Sequence, residues 1–443
     1  MTQQTPTTRQ ASSPLARVRP KSRVALRASS QHLLSLFRRA LCLCAAAAVA
    51  LAHPVSAQQP LSLHDAIAMA ENSPQALAAA AQISAAQGSV RQAGLGLNPR
   101  IYLSSEDIRP WASDFSFANN TEDYGYLGQT AELAGKRSKR VGVATADLRR
   151  TEAEVALGKA QIAGRVAQAY WGAALALGLR DLLAQDLKAV DDLVRYHKQR
   201  VDAGAMRGVD LLRMQIERDR ISMALDLAER DLEVARVDLF RQIGRKPDPT
   251  IVLSESLSTP LQPPPSDIEA AVVHRADIVA ARETVASAAA NLRLQHAIAV
   301  PDPDILGGYK RNSGFDTLFA SVQVPLPFRN RNQGEIARAD ANLRLARARL
   351  EQAELGARAD IAAAQTVYDH QLHITEGTLP DMRSRARKNL EILDDAYRTG
   401  GVDLLRYIDA ERTEIDVEVN ALRTLADLRQ SAVRLQLAFG EPL

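Results

Sequence analysis

The chain has 443 residues, of which 24% are charged and 4% aromatic, with a formal net charge of +3. Abundant Ala, Leu, Arg, Gln and Glu favours long helices, and the scarcity of Phe and Trp excludes a large compact core of the usual kind. The positive balance sits in the first 57 residues, so it points to export and not to a nucleic-acid partner.

Residues 1–57 carry eight basic residues (Arg9, Arg17, Arg19, Lys21, Arg23, Arg27, Arg38, Arg39) and no acid. An apolar run from Ala40 to Ala52 follows, too short to span a bilayer, and Val55-Ser56-Ala57 supplies a small-x-small cleavage site. The segment is a signal peptide by this pattern, and its long basic region leaves Val24 as a candidate downstream start. Removing its eight charges takes the +3 of the chain to −5. Both cysteines, Cys42 and Cys44, go with it, so the mature chain has no thiol for a disulfide, a metal or redox chemistry. Leu41, Cys42 and Leu43 before Cys44 are not the small residues that lipidation requires.

From residue 58 the elements follow in order. Leu61–Asn72 and Pro74–Leu97 are predicted helices, the second with proline at a first turn where no N–H is needed. Arg100–Ile108 and Asp123–Leu133 are predicted strands. Ala134–Asp202 is one very long helix and Met206–Ile243 its return. Pro247, Pro249, Pro260 and Pro263-Pro264-Pro265 mark 247–265 as an extended linker. The layout then begins again: a helix Ser266–Val300 ended by Pro301 and Pro303, strands Asp304–Lys310 and Phe315–Leu326, and a long helix Asn332–Arg398 bent at Pro380. A return helix runs from Val402. The organisation is therefore a signal (1–57), a first structural repeat (58–246), a linker (247–265) and a second repeat (266–443).

The repeat has a sequence marker. Val209-Asp210-Leu211-Leu212-Arg213 and Val402-Asp403-Leu404-Leu405-Arg406 stand about 195 residues apart, each just after a glycine-marked turn. In the first long helix Val141, Leu148, Val155, Ile162, Ala169, Ala176, Leu183 and Val190 recur at strict sevens, with His197 next in the row. Ile336, Leu343, Leu350, Ala357 and Ala364 do the same in the second. Sustained sevens mean coiled-coil packing. At ~1.5 Å per residue the first long helix reaches roughly 100 Å.

The strands point to a membrane. Leu318, Ala320, Val322 and Val324 make one face apolar, while Thr317, Ser321 and Gln323 keep the other mostly polar, the alternation of a transmembrane barrel. Four strands are too few to close a barrel, and open edges cannot sit in lipid, so several copies must share one.

No catalytic constellation stands out. Walker-type loops, Gly-x-Ser-x-Gly and His-Glu-x-x-His are missing from the sequence, and the mature histidines (His64, His197, His274, His296, His370, His373) are dispersed. His370 and His373 share a helical face but lack an evident third ligand, and Asp302 and Asp304 beside Pro303 fit a turn better than a carboxylate pair. The expectation is no enzyme, no cofactor and no metal site.

The doubled layout, the Asp-Leu-Leu turns and the proline-bounded strands resemble the TolC-like outer membrane factors over essentially the whole mature chain. Gln129-Thr130-Ala131-Glu132-Leu133-Ala134-Gly135-Lys136-Arg137 and Val324-Pro325-Leu326-Pro327-Phe328-Arg329-Asn330-Arg331-Asn332-Gln333-Gly334 look like the cobalt–zinc–cadmium efflux branch. The residues themselves suit a structural elbow, since proline ends sheet pairing and Gly135 tolerates unusual dihedrals.

The resemblance implies a mainly α fold with a small β part: long coiled-coil helices plus four transmembrane strands per chain, completing a twelve-stranded β-barrel and a helical tube as a homotrimer. It also implies a periplasmic adaptor and an inner-membrane efflux pump of the RND type as partners, outer-membrane lipid around the barrel, and divalent heavy-metal cations as cargo. In the family a Tyr before the turn and two Asp on the return helix line the periplasmic entrance. Tyr397 and Asp409 match the Tyr and the second Asp, whereas Arg406 stands at the first Asp position. Asp403, Arg406 and Asp409 lie three apart on one helical face, where they either pair or form a solvated charge ladder. The alternative to a duct is a periplasmic adaptor or a structural coiled-coil protein; two tandem hairpins with paired short strands favour the duct.

Overall fold

The computed structural model describes residues 60–248, 250–261 and 266–443. The expected signal (1–57) and the linker prolines Pro249, Pro263, Pro264 and Pro265 lie outside the described residues. In the first half, α1 (Leu63–Ala70) and α2 (Pro74–Ala93) lead to β1 (Arg100–Glu106), a one-turn helix α3 (Phe117–Asn120), β2 (Glu122–Thr130), the long α4 (Lys136–Asp202) and its return α5 (Gly208–Ile243). The second half runs α6 (Ile268–His274), α7 (Ala276–Ile298), β3 (Asp304–Asn312), β4 (Phe315–Gln323), α8 (Gln333–His373), α9 (Leu379–Arg398) and α10 (Leu404–Phe439).

The strands form one antiparallel sheet in the order β1-β2-β3-β4, which leaves β1 and β4 as edges. The register places Leu127 beside Ile101 and Gly307, Ile305 beside Val322, and Tyr309 beside Leu318. One face is thereby apolar across all four strands, with Ile101, Leu103, Leu127, Ile305, Leu318 and Val322 exposed. The other face carries Arg100, Thr130 and Asp304 in one bonded group, and Tyr102, Tyr126 and Phe319 in a row of ring contacts.

Strand passes to helix through a left-handed residue in both halves: Ala134 and Gly135 (φ 54° and 65°) before α4, and Asn332 (φ 60°) before α8. Only glycine takes that conformation without a Cβ penalty, which accounts for Gly135 at the sharpest point. The two elbows are tied together. Lys136, 8% exposed, pairs with Asp302 at 2.7 Å and donates to the Val300 carbonyl, while the Leu133 N–H donates to Asp302. Asp302 is thus a clasp between halves.

α4 packs on α2 and α7 near the sheet, and on α5 and α10 further down. Val155, Ile162, Ala169, Val190 and His197 of its row of sevens are buried. Gly164 lets α10 come close, since a Cβ there would meet Leu437. The core divides into separate clusters along the helices. The largest joins α1, the middle of α4, the end of α5 and α10 around Tyr170 and Trp171. Part of the linker belongs to it: Leu61 and Leu253 form a parallel bridge, Leu257 is buried, and the Tyr170 hydroxyl donates to the Leu61 carbonyl.

Two elements differ from the sequence reading. The single helix expected over Ser266–Val300 is two, because Arg275 takes an extended ψ of 134° between α6 and α7. Its guanidinium donates to the Ala438 carbonyl at the end of α10 and pairs with Asp277, so a tertiary contact breaks the helix where no Gly or Pro announces it. The bend at Pro380 is built as a π turn, Ile374–Thr378, between α8 and α9. Proline lacks the N–H and crowds the carbonyl four residues back, and a widened turn upstream absorbs both.

Candidate channel entrance

Two equivalent turns make the end of the helical region away from the sheet. At the end of α4 Gly204 is left-handed (φ 71°) and the Ala205 N–H bonds back to the Arg200 carbonyl; at the end of α9 Gly400 is left-handed (φ 78°) and the Gly401 N–H bonds back to the Ala396 carbonyl. Both close the orphan carbonyls of a helix end in the same way. The returns differ. α5 begins at Gly208 with Asp210 inside its first turn, whereas α10 begins at Leu404 with Asp403 as its cap.

Tyr397, one of the residues singled out from the sequence, is half-buried. Its hydroxyl lies 2.6 Å from Nε2 of His197, which is fully buried on α4, and its ring stacks on Tyr407 of α10 at 5.2 Å. His197 Nδ1 faces the Leu193 carbonyl at 2.9 Å. Nδ1 can only donate there, and in the neutral ring favoured by burial Nε2 accepts from the Tyr397 hydroxyl. Burial, the chief cause, holds its pKa below the ordinary histidine range. His197 and Tyr397 therefore bolt the tips of the two long helices together.

Asp403, Arg406 and Asp409 are exposed. The Asp403 carboxylate accepts the Arg406 backbone N–H at 3.0 Å, so it caps α10. Among the described residues the Arg406 guanidinium pairs with neither Asp403 nor Asp409. The charge ladder is solvated, and Tyr397 is the only member of the four drawn into the packing.

Reasoning from sequence missed the acids just above the turn. Glu217 on α5, 2% exposed, is held by Arg220 of its own helix and by Arg412 of α10. Burial alone would raise its pKa, but the hydrogen bonds from Arg412 and Arg220 keep it below the usual carboxylate value. Glu411, 6% exposed, has no such partner. Only His197 left a signal in the sequence, as a polar residue on an otherwise apolar row.

The family model for the outer membrane efflux protein matches residues 68–245 and 268–441. The chain belongs to the outer membrane efflux protein family. Solved structures that it resembles are described as outer-membrane channels. The chain is 26% identical to the nickel and cobalt resistance protein CnrC of Cupriavidus metallidurans over 315 residues, covering 70% of this chain and 73% of that one. Its fold is similar to CusC (TM-score 0.72, 15% identity, 87% of this chain and 96% of that one). It is also similar to VceC of Vibrio cholerae (0.70, 21%, 86% and 96%) and to the open state of MtrE of Neisseria gonorrhoeae (0.72, 18%, 86% and 89%).

Proposed function

We propose that three copies of this chain form the outer-membrane duct of a tripartite export system, each contributing four strands to a shared twelve-stranded barrel continued by a helical tube in the periplasm. The observation that carries this reading is the sheet: two unpaired edges, an exposed apolar face and a polar opposite face. A sheet of this kind is stable in lipid only when neighbouring copies satisfy its edges. On this reading residues 1–57 direct export, 58–246 and 266–443 are the two repeats joined by 247–265, and Tyr397, Asp403, Arg406 and Asp409 stand at the periplasmic entrance. A periplasmic adaptor and an inner-membrane pump of the RND type deliver the cargo.

The cargo is divalent heavy-metal cations, a reading supported by similarity to a nickel and cobalt resistance protein. A conduit must not hold what it passes, and a mature chain without Cys offers no soft cage. His370 and His373 are exposed on α8. Deletion in a host without a redundant duct should lower tolerance to nickel, cobalt, zinc or cadmium, while calorimetry on the purified protein should show no stoichiometric tight zinc binding. Loss of tolerance to organic drugs alone would overturn the metal assignment. Protein that fractionates only as soluble monomer would overturn the duct.

A further inference from the structure

Above the entrance turn, α4, α9 and α10 border an open groove of about 1060 Å³. Leu182, Leu193, Leu390 and Ile415 give it apolar walls, three tyrosines (Tyr196, Tyr397, Tyr407) present rings, and Asp186 and Glu411 line it from opposite helices. Glu411 is 6% exposed, and its Oε2 has no hydrogen-bond partner among the described residues; neither has the enclosed Oδ2 of Asp186. A carboxylate buried without a partner costs several kcal/mol unless it takes a proton or a cation.

The basic residues nearby are otherwise engaged or too far. Arg398 bonds Asp394 at 2.9 Å, and Arg220 of α5 bonds Glu217. Arg387 lines the groove without forming an ion pair to Glu411 or Asp186 among the described residues. The acids are too dispersed for a bare metal ion, since no group of three or more His, Cys, Asp or Glu among the described residues has metal-holding geometry. Tyrosine faces and aliphatic walls around a buried negative charge suit a cation with an apolar body.

We propose that this groove binds an amphipathic organic cation, an ammonium or guanidinium on an aromatic body, with Glu411 and Asp186 as counter-charges and Tyr196, Tyr397 and Tyr407 as walls. The site lies within one chain, so it stands or falls separately from the barrel and from the metal cargo.

Protonation gives an independent signature. Burial first, and the Asp186 carboxylate next, push the Glu411 carboxyl up to about 8; burial and Glu414 lift Asp186 to about 6. The groups facing them are Asp192 on α4, Glu217 and Arg220 on α5, Arg387, Glu391, Asp394 and Arg398 on α9, and Tyr407, Glu414 and Glu418 on α10. At neutral pH the empty groove thus holds a proton on Glu411 that an entering cation displaces.

The test uses the full mature chain in lipid nanodiscs, with ethidium as the probe, fluorescence anisotropy as the readout and empty nanodiscs subtracted. Saturable binding at one site per chain is expected, tightening as pH rises from 6 to 9. Calorimetry in buffers of different ionisation enthalpy should register proton release at pH 7. Glu411→Gln is nearly isosteric with the protonated carboxyl and cannot ionise, so it should fold, yet weaken binding at least tenfold and abolish the proton release. Tyr407→Leu should weaken binding without touching the proton release. Undiminished affinity in Glu411→Gln, equal affinity for an uncharged dye of the same size, or displacement of ethidium by zinc ions alone would each overturn the proposal.

Discussion

Val322→Arg tests which face of the sheet meets lipid. Val322 is 64% exposed and sits beside Ile305, itself 52% exposed on β3. β4 ends at Gln323, and the Val322–Ile305 pair is next to the Gln323–Asp304 pair that closes the elbow end of the sheet. Val322 therefore lies toward the elbow end of the apolar face, where an arginine costs less than the ~2–4 kcal/mol of the bilayer midplane. In a trimer the penalty is taken three times, so roughly 6–12 kcal/mol per assembly is its ceiling. Ser321 provides the internal control, because adjacent strand residues point to opposite faces. Ser321→Arg faces the polar side and should cost close to nothing. The assay is the yield of trimer from outer membranes in mild detergent, with helical circular dichroism to confirm that the periplasmic helices still fold. The expected result is loss of trimer in Val322→Arg and retention in Ser321→Arg. Wild-type yield in Val322→Arg, or loss in Ser321→Arg alone, would refute the assignment of faces.

Three further outcomes follow from the entrance region. If Asp409 lines the entrance, Asp409→Ala should weaken cation selectivity in planar bilayers, and Arg406→Ala, which removes the neighbouring positive charge, should strengthen it; no change in either places both on the outer surface. Tyr397→Phe removes the hydrogen bond to His197 and should lower stability by about 0.5–1.5 kcal/mol, and His197→Ala should cost more because it also leaves a cavity between α4 and α9. Thermal unfolding in detergent decides this, and a neutral Tyr397→Phe would mean that the bolt contributes nothing. Glu411 should show an inverted pH dependence: its carboxyl titrates at about 8 folded against 4.5 in the open chain, so between these values the folded state keeps a proton the unfolded state has lost, and stability falls as pH rises. Glu411→Gln should match the wild type near pH 4 and exceed it at pH 9 by up to about 5 kcal/mol; equal unfolding at both pH values would contradict the burial of that carboxyl.

Much of this architecture was legible from local signals. Periodicity of seven located α4 and α8, alternation of two located β4, and Gly204, Gly400, Pro325 and Pro327 marked the turns and elbows, because each reflects a preference of the chain with itself. The Val-Asp-Leu-Leu-Arg pair disclosed the doubling, and the family resemblance alone singled out Tyr397 just ahead of the second glycine turn. Tertiary structure alone decided what lies across from what. The break at Arg275 depends on a carbonyl 163 residues away, and Asp302, which in sequence suits a turn, is the partner of a buried lysine. His197 finds Tyr397 across 200 residues. Glu411 reads as one acid among many on a charged helix, and only the convergence of α4, α9 and α10 turns it into a carboxylate with nowhere to place its charge. A helix's own sequence states which face is apolar; it does not state which side chains the neighbouring helix will bring to meet it.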